Sequence, residues 1–220
     1  AVPLRQQPRA LAVITTGTSG GLVLLGGLAV LAVLGSWRLV WVGIALAAAA
    51  AALVNLRLVP KTRPDPVAIN RHGASALFAA LRGPCAYAVA YFAAVVIYFT
   101  YAADVLGSGA LPAGAVPALY AGIGLCGVVG VATGTFAGRM GSSRVAGLSL
   151  GAVGAALALL GVASDSLTAT AISTCIFGAG YMAGSAVLAI WTAELVPERA
   201  GEAFTAVLIV GALSSVAAPA

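Results

Sequence analysis

Only 8% of the 220 residues are charged and 61% are hydrophobic, whereas a soluble domain is typically about 25% charged. So little charge cannot cover a water-facing surface, and lipid must be the main solvent. The net charge of +5 does not make a nucleic-acid binder, because the Lys and Arg residues sit in short loops between apolar runs and form no basic face.

The chain opens on a polar, Pro-containing stretch, residues 1–10, with no initiator Met and no signal peptide. Residues 216–220 stop inside an apolar run. The sequence therefore reads as a fragment of a longer protein. Between these ends lie apolar stretches at about 11–35, 38–59, 83–105, 116–139, 144–164 and 168–193, with a partial seventh from about 203. A bilayer core needs about 20 apolar residues in a helix. Barrel strands would alternate apolar and polar residues, and nothing here alternates. The expected fold is an all-α polytopic membrane protein with six full transmembrane helices and part of a seventh.

A tight turn, Gly35-Ser36-Trp37-Arg38, joins the first two spans, and Trp37 and Trp41 suit an interfacial belt. The longest polar stretch follows. Pro60, Pro64 and Pro66 stop any helix there, and Lys61, Arg63, Arg71 and His72 accompany them. This divides the chain into residues 1–59, the last two helices of a first bundle; 60–82, a cytoplasmic central linker; and 83–220, a second, truncated bundle. Residues 75–82 suit a short interfacial helix. The loop at 105–115 and Ser164-Asp165-Ser166 carry no positive charge.

If the spans cross in succession, Arg5, Arg9, Arg57, Lys61, Arg63, Arg71, Arg82, Arg139, Arg144 and Arg199 fall on one side, and only Arg38 on the other. Short Lys/Arg-rich loops stay cytoplasmic, so the linker should face the cytoplasm across a cytoplasmic (inner) membrane. Glycines spaced four apart, Gly17/Gly21, Gly130/Gly134/Gly138, Gly147/Gly151 and Gly180/Gly184, should bring helix backbones close together. Cys85, Cys126 and Cys175 lie inside apolar runs without CxxC spacing. They read as small packing residues, with no disulfide framework and no metal site.

Three segments together carry a resemblance. Gly134-Thr135-Phe136-Ala137-Gly138-Arg139-Met140-Gly141-Ser142-Ser143-Arg144 is similar to the signature loop of the major facilitator superfamily, roughly G-x-L-A/G-D-R-x-G-R. Gly138, Arg139, Gly141 and Arg144 match, and Ser142 or Ser143 stands where that pattern has an acid. Residues 194–203, beginning Glu194-Leu195-Val196-Pro197-Glu198-Arg199, resemble the loop between the family's helices 10 and 11. The Gly35–Arg38 turn resembles the one between helices 5 and 6. The resemblance implies that the chain runs from about helix 5 to part of helix 11. It also implies a cytoplasmic-gate role for Gly138, Arg139, Gly141 and Arg144. Drug exporters of the family carry a Gly-Pro motif in helix 5; here Gly20-Gly21 and Gly26-Gly27 lack the proline, which weighs against drug/proton antiport.

In the span at 83–105, Tyr87, Tyr91, Tyr98 and Tyr101 fall within a stripe about 80° wide, with Phe92 and Phe99 on another face. A phenol hydroxyl facing lipid tails lacks a partner, and a phenyl ring does not. The tyrosines should therefore face the protein interior or an aqueous cavity, and the phenylalanines lipid. In the span at 168–193, Thr174, Gly178, Tyr181, Ser185 and Thr192 share one stripe. The substrate-cavity candidates are Tyr87, Tyr91, Tyr98, Thr174, Tyr181 and Ser185. The alternative for each is helix packing, with hydroxyls bonded to nearby backbone. Glu194 and Arg199 are candidates for a second cytoplasmic contact.

No ionisable residue lies mid-span, although such residues usually mark proton or ion coupling. An enzyme would need a nucleophile with a base, or a metal cluster, and the one histidine is in a loop. The expected function is secondary active transport of a small solute by alternating access, with proton coupling left open and no cofactor. The alternatives are a non-transporting membrane sensor, a membrane-embedded enzyme or the permease subunit of a pump.

Overall fold

The computed structural model describes residues 7–58, 74–108 and 115–218, and among them every regular element is helical. In chain order the helices are α1 (Gln7–Leu34), α2 (Trp37–Leu58), α3 (Ala74–Ala80), α4 (Arg82–Ser108), α5 (Ala115–Gly127), α6 (Thr133–Met140), α7 (Ser142–Ala163), α8 (Leu167–Leu195) and α9 (Ala200–Ala217). Among the described residues, six stretches are long and apolar enough to cross a bilayer: Trp37–Arg57, Arg82–Asp104, Ala115–Met140, Ser142–Ala163, Leu167–Leu195 and Pro197–Ala217. The last is a span of full length, where the sequence suggested only a beginning. α1 carries an apolar stretch at Gly17–Val30. Most of the linker, residues 59–73, lies outside the described residues; α3 occupies the place of the expected short helix.

Local chemistry sets the breaks. The Ser166 hydroxyl accepts the Ala169 N–H (3.3 Å) and caps the start of α8. Pro197 opens a 3₁₀ turn, Pro197–Arg199, and Val196 before it has left the helical region, at φ −138° and ψ 68°, as the steric bias against helix before proline favours; there α8 ends. Gly141 joins α6 to α7 at φ +86°, backbone that side chains rarely adopt. The span expected as one helix over 116–139 is divided by a 3₁₀ segment, Val128–Ala132, between α5 and α6. Gly127 and Gly130 at this break lie against the side chain of Met182.

α8 is the axis of the molecule. α7 lies along it, and α5 and α1 pack on another side. α4 packs on α9 and touches both α7 and α8, while α2 packs on α1. Helix association in lipid draws on van der Waals contact and interhelical hydrogen bonds, and the crossings use glycine accordingly. A side chain at Gly178 would strike the Ile123 carbonyl, and one at Gly184 the Tyr91 ring. Gly130 and Gly180 also face neighbours closely, whereas Gly17, Gly21, Gly138, Gly147 and Gly151 have nothing within 4 Å. The expectation for spaced glycines holds for only part of the set, because spacing fixes a shared face and not what lies opposite.

Candidate functional site

Tyr87, Tyr91 and Tyr98 all point from α4 into the bundle, at 7%, 0% and 0% exposure. Each hydroxyl is engaged. Ser149 donates to the Ala146 carbonyl at 2.8 Å, so the Tyr87 hydroxyl, 2.8 Å from Ser149 Oγ, is the donor in that pair. Tyr91 donates to the Tyr181 carbonyl at 2.5 Å and accepts from Ser185 Oγ at 3.0 Å. Tyr98 donates to Ser173 Oγ at 3.2 Å, and Ser173 passes its own proton to the Ala156 carbonyl at 2.7 Å. Three phenols thus tie α4 to α7 and α8. Thr174 bonds within its own helix, to the Thr170 carbonyl at 2.8 Å.

The phenylalanine face does not meet lipid as expected. Phe92 packs against Gly211 of α9. Phe99 forms the middle of an aromatic shelf built from α4, α5 and α8. Its ring is parallel to Tyr120 (centroids 6.2 Å apart) and edge-on to Tyr181 (5.5 Å) and Phe177 (5.3 Å). Phe177 also stacks on Tyr98 at 3.6 Å and on Tyr181 at 5.7 Å. Phe99, Tyr120 and Tyr181 are half-buried. Among the described residues the Tyr120 and Tyr181 hydroxyls have no hydrogen-bond partner. A phenol left in hydrocarbon without a partner is costly, so these two hydroxyls must meet water or a polar ligand. Sequence reasoning found Tyr181 and missed Phe99 and Tyr120. The three lie on separate helices, and no spacing rule links them.

The signature-loop residues gather at one end of the bundle. Gly138, Arg139, Gly141 and Arg144 are exposed. Ser142, where the pattern has an acid, donates to Glu194 Oε2 at 2.7 Å. A carboxylate therefore reaches this corner from the end of α8, beside the first turn of α7, where the helix dipole favours a negative charge. Glu194 and Arg199 are not paired with each other; Arg199 binds Glu202. Among the described residues two hydroxyls are orphaned in the core: Ser19 on α1 and Thr133 at the start of α6, each 1% exposed. They lie near the two ends of the 3₁₀ break. A Cβ on Gly127 would come 2.9 Å from Ser19 Oγ.

The family model described as Major Facilitator Superfamily matches residues 1–219. Comparison with curated proteins gives no match, and comparison with solved structures gives none either. A match over nearly the whole chain, on a bundle of membrane-length apolar helices, establishes that the chain belongs to the major facilitator superfamily of membrane transporters.

Proposed function

We propose that this transporter carries a small, neutral, aromatic or amphipathic solute by alternating access, and that Phe99, Tyr120 and Tyr181 form its contact surface on this side of the pathway. The observation that carries the reading is the pair of unpartnered phenols on a half-buried aromatic shelf. Rings stack on a flat solute, and the two hydroxyls fix its orientation. The mid-span regions hold no charged side chain, which disfavours a highly anionic solute at this surface.

Tyr91 donates to the Tyr181 carbonyl, and Ser185 bonds in turn to the Tyr91 hydroxyl. They position Tyr181, and with Tyr87, Tyr98 and Thr174 they supply hydroxyls that a solute can recruit if α4 moves against α8. Arg139 and Arg144 are assigned to the inward gate, with Gly138 and Gly141 shaping their loop. The 60–82 linker is assigned to the cytoplasmic side, between two bundles. Proton coupling belongs to this proposal only as a variable to be measured.

Uptake into proteoliposomes tests it, using a panel of neutral aromatic, zwitterionic and anionic solutes with and without a pH gradient. The reading expects saturable uptake of a neutral aromatic solute, with KM raised several-fold by Phe99→Ala and by Tyr181→Phe. Saturable uptake of anions alone, or shelf variants with unchanged KM, would defeat it. Binding without any movement of solute would favour the sensor reading.

A further inference from the structure

The sequence separates Cys126 and Cys175 by 49 residues, and the fold brings them together. Cys126 is on α5 and Cys175 on α8, and their sulfurs are 2.8 Å apart with both thiols free. The helices cross tightly beside them, with Gly178 under the Ile123 carbonyl and Gly122 placed so that a Cβ would lie 3.0 Å from Thr174 Cγ2. Cys175 is exposed and lines a groove of about 160 Å³ between α5 and α8, with Leu119, Gly122 and Thr174. Cys126 is half-buried behind it. Cys85 lies elsewhere, lining a different groove with Phe78, Arg82 and Val210.

We propose that Cys126 and Cys175 are a modification site, an oxidisable dithiol that closes into an interhelix disulfide when a membrane-permeant two-electron oxidant enters the groove. Disulfide formation requires Cβ atoms about 3.5–4.5 Å apart, and two thiols already in contact on tightly crossed backbones need little movement to bond. With an azodicarboxamide as oxidant, the Cys175 thiolate adds to the N=N bond and forms an S–N bond. The Cys126 thiolate then attacks Cys175 Sγ; the S–S bond forms, the S–N bond breaks, and the hydrazine leaves with two electrons and two protons. Access orders the steps: the exposed Cys175 meets the oxidant and the half-buried Cys126 resolves it. The closed bond staples α5 to α8 along the groove beside Thr174.

The test treats the full-length protein in lipid nanodiscs with diamide, and separately with copper–phenanthroline, then blocks with N-ethylmaleimide and maps peptides by mass spectrometry. The expected result is one linked peptide pair joining Cys126 to Cys175, abolished by dithiothreitol, absent from Cys126→Ser and from Cys175→Ser, and retained in Cys85→Ser. The oxidised protein should also melt at a higher temperature than the reduced one. Full alkylation of Cys126 and Cys175 after both oxidants would overturn the proposal. So would linkage to Cys85 as frequent as the 126–175 link.

Discussion

A phenol inside a membrane bundle must give its proton to something, and the six tyrosines of this chain are read best by asking where each proton goes. Tyr87, Tyr91 and Tyr98 give theirs to Ser149, the Tyr181 carbonyl and Ser173. Tyr120 and Tyr181 have no acceptor among the described residues. This separates tyrosines that hold helices from tyrosines available to a ligand. Tyr91→Phe removes a donor to α8 and the acceptor used by Ser185, a loss of about 1 kcal/mol, so the melting temperature in detergent should fall. Tyr181→Phe removes no protein bond; it should leave the melting temperature unchanged and raise the solute KM. Equal effects of the two changes on stability would contradict the division. Tyr87, Tyr91 and Tyr98 were legible as inward because a helical period fixes which residues share a face, whereas Tyr101, expected on the same stripe, is 45% exposed. Phe99 was misplaced because the same period does not say which neighbour covers the other face.

At the level of elements, glycine does most to set how closely helices meet, and its role differs from site to site. Gly184 receives the Tyr91 ring and the Tyr87 hydroxyl, while Gly147, in the adjacent helix α7, faces open space. Gly184→Val should therefore displace Tyr91 and lower thermal stability sharply, and Gly147→Val should be nearly silent; melting curves of the two variants check this. The sequence spacing of four singled out both glycines equally, so only the packing distinguishes them. The division of the fourth span at Val128–Ala132 was not legible either. Its residues are apolar and helix-compatible, and the 3₁₀ winding accompanies the close approach of Met182 to Gly127 and Gly130. Helix ends were easier to read, because Gly141, Ser166 and Pro197 carry local backbone chemistry visible in the sequence itself.

For the whole molecule, the ordering of apolar runs and cations made the fold class readable before any packing was known. Ten of eleven Lys and Arg residues sort to one face when the spans alternate, and a bundle of membrane-length helices follows. Sidedness itself is a prediction. With the native cysteines replaced by serine, a cysteine at Lys61 should react with an impermeant maleimide only from the cytoplasmic side, and one at Ser108 only from outside. Equal labelling of both from the outer medium would overturn the topology. The solute site was less readable than the fold, since its three rings come from α4, α5 and α8 and meet only through tertiary packing.

The most direct test of the central claim, an aqueous aromatic site reached from alternate sides, is a cysteine at Tyr181 in the same cysteine-free protein, reconstituted into liposomes. The account predicts labelling by a small water-soluble thiol reagent from each side in turn, slowed by the transported solute. Labelling by lipid-soluble reagents alone, with no protection by solute, would contradict it.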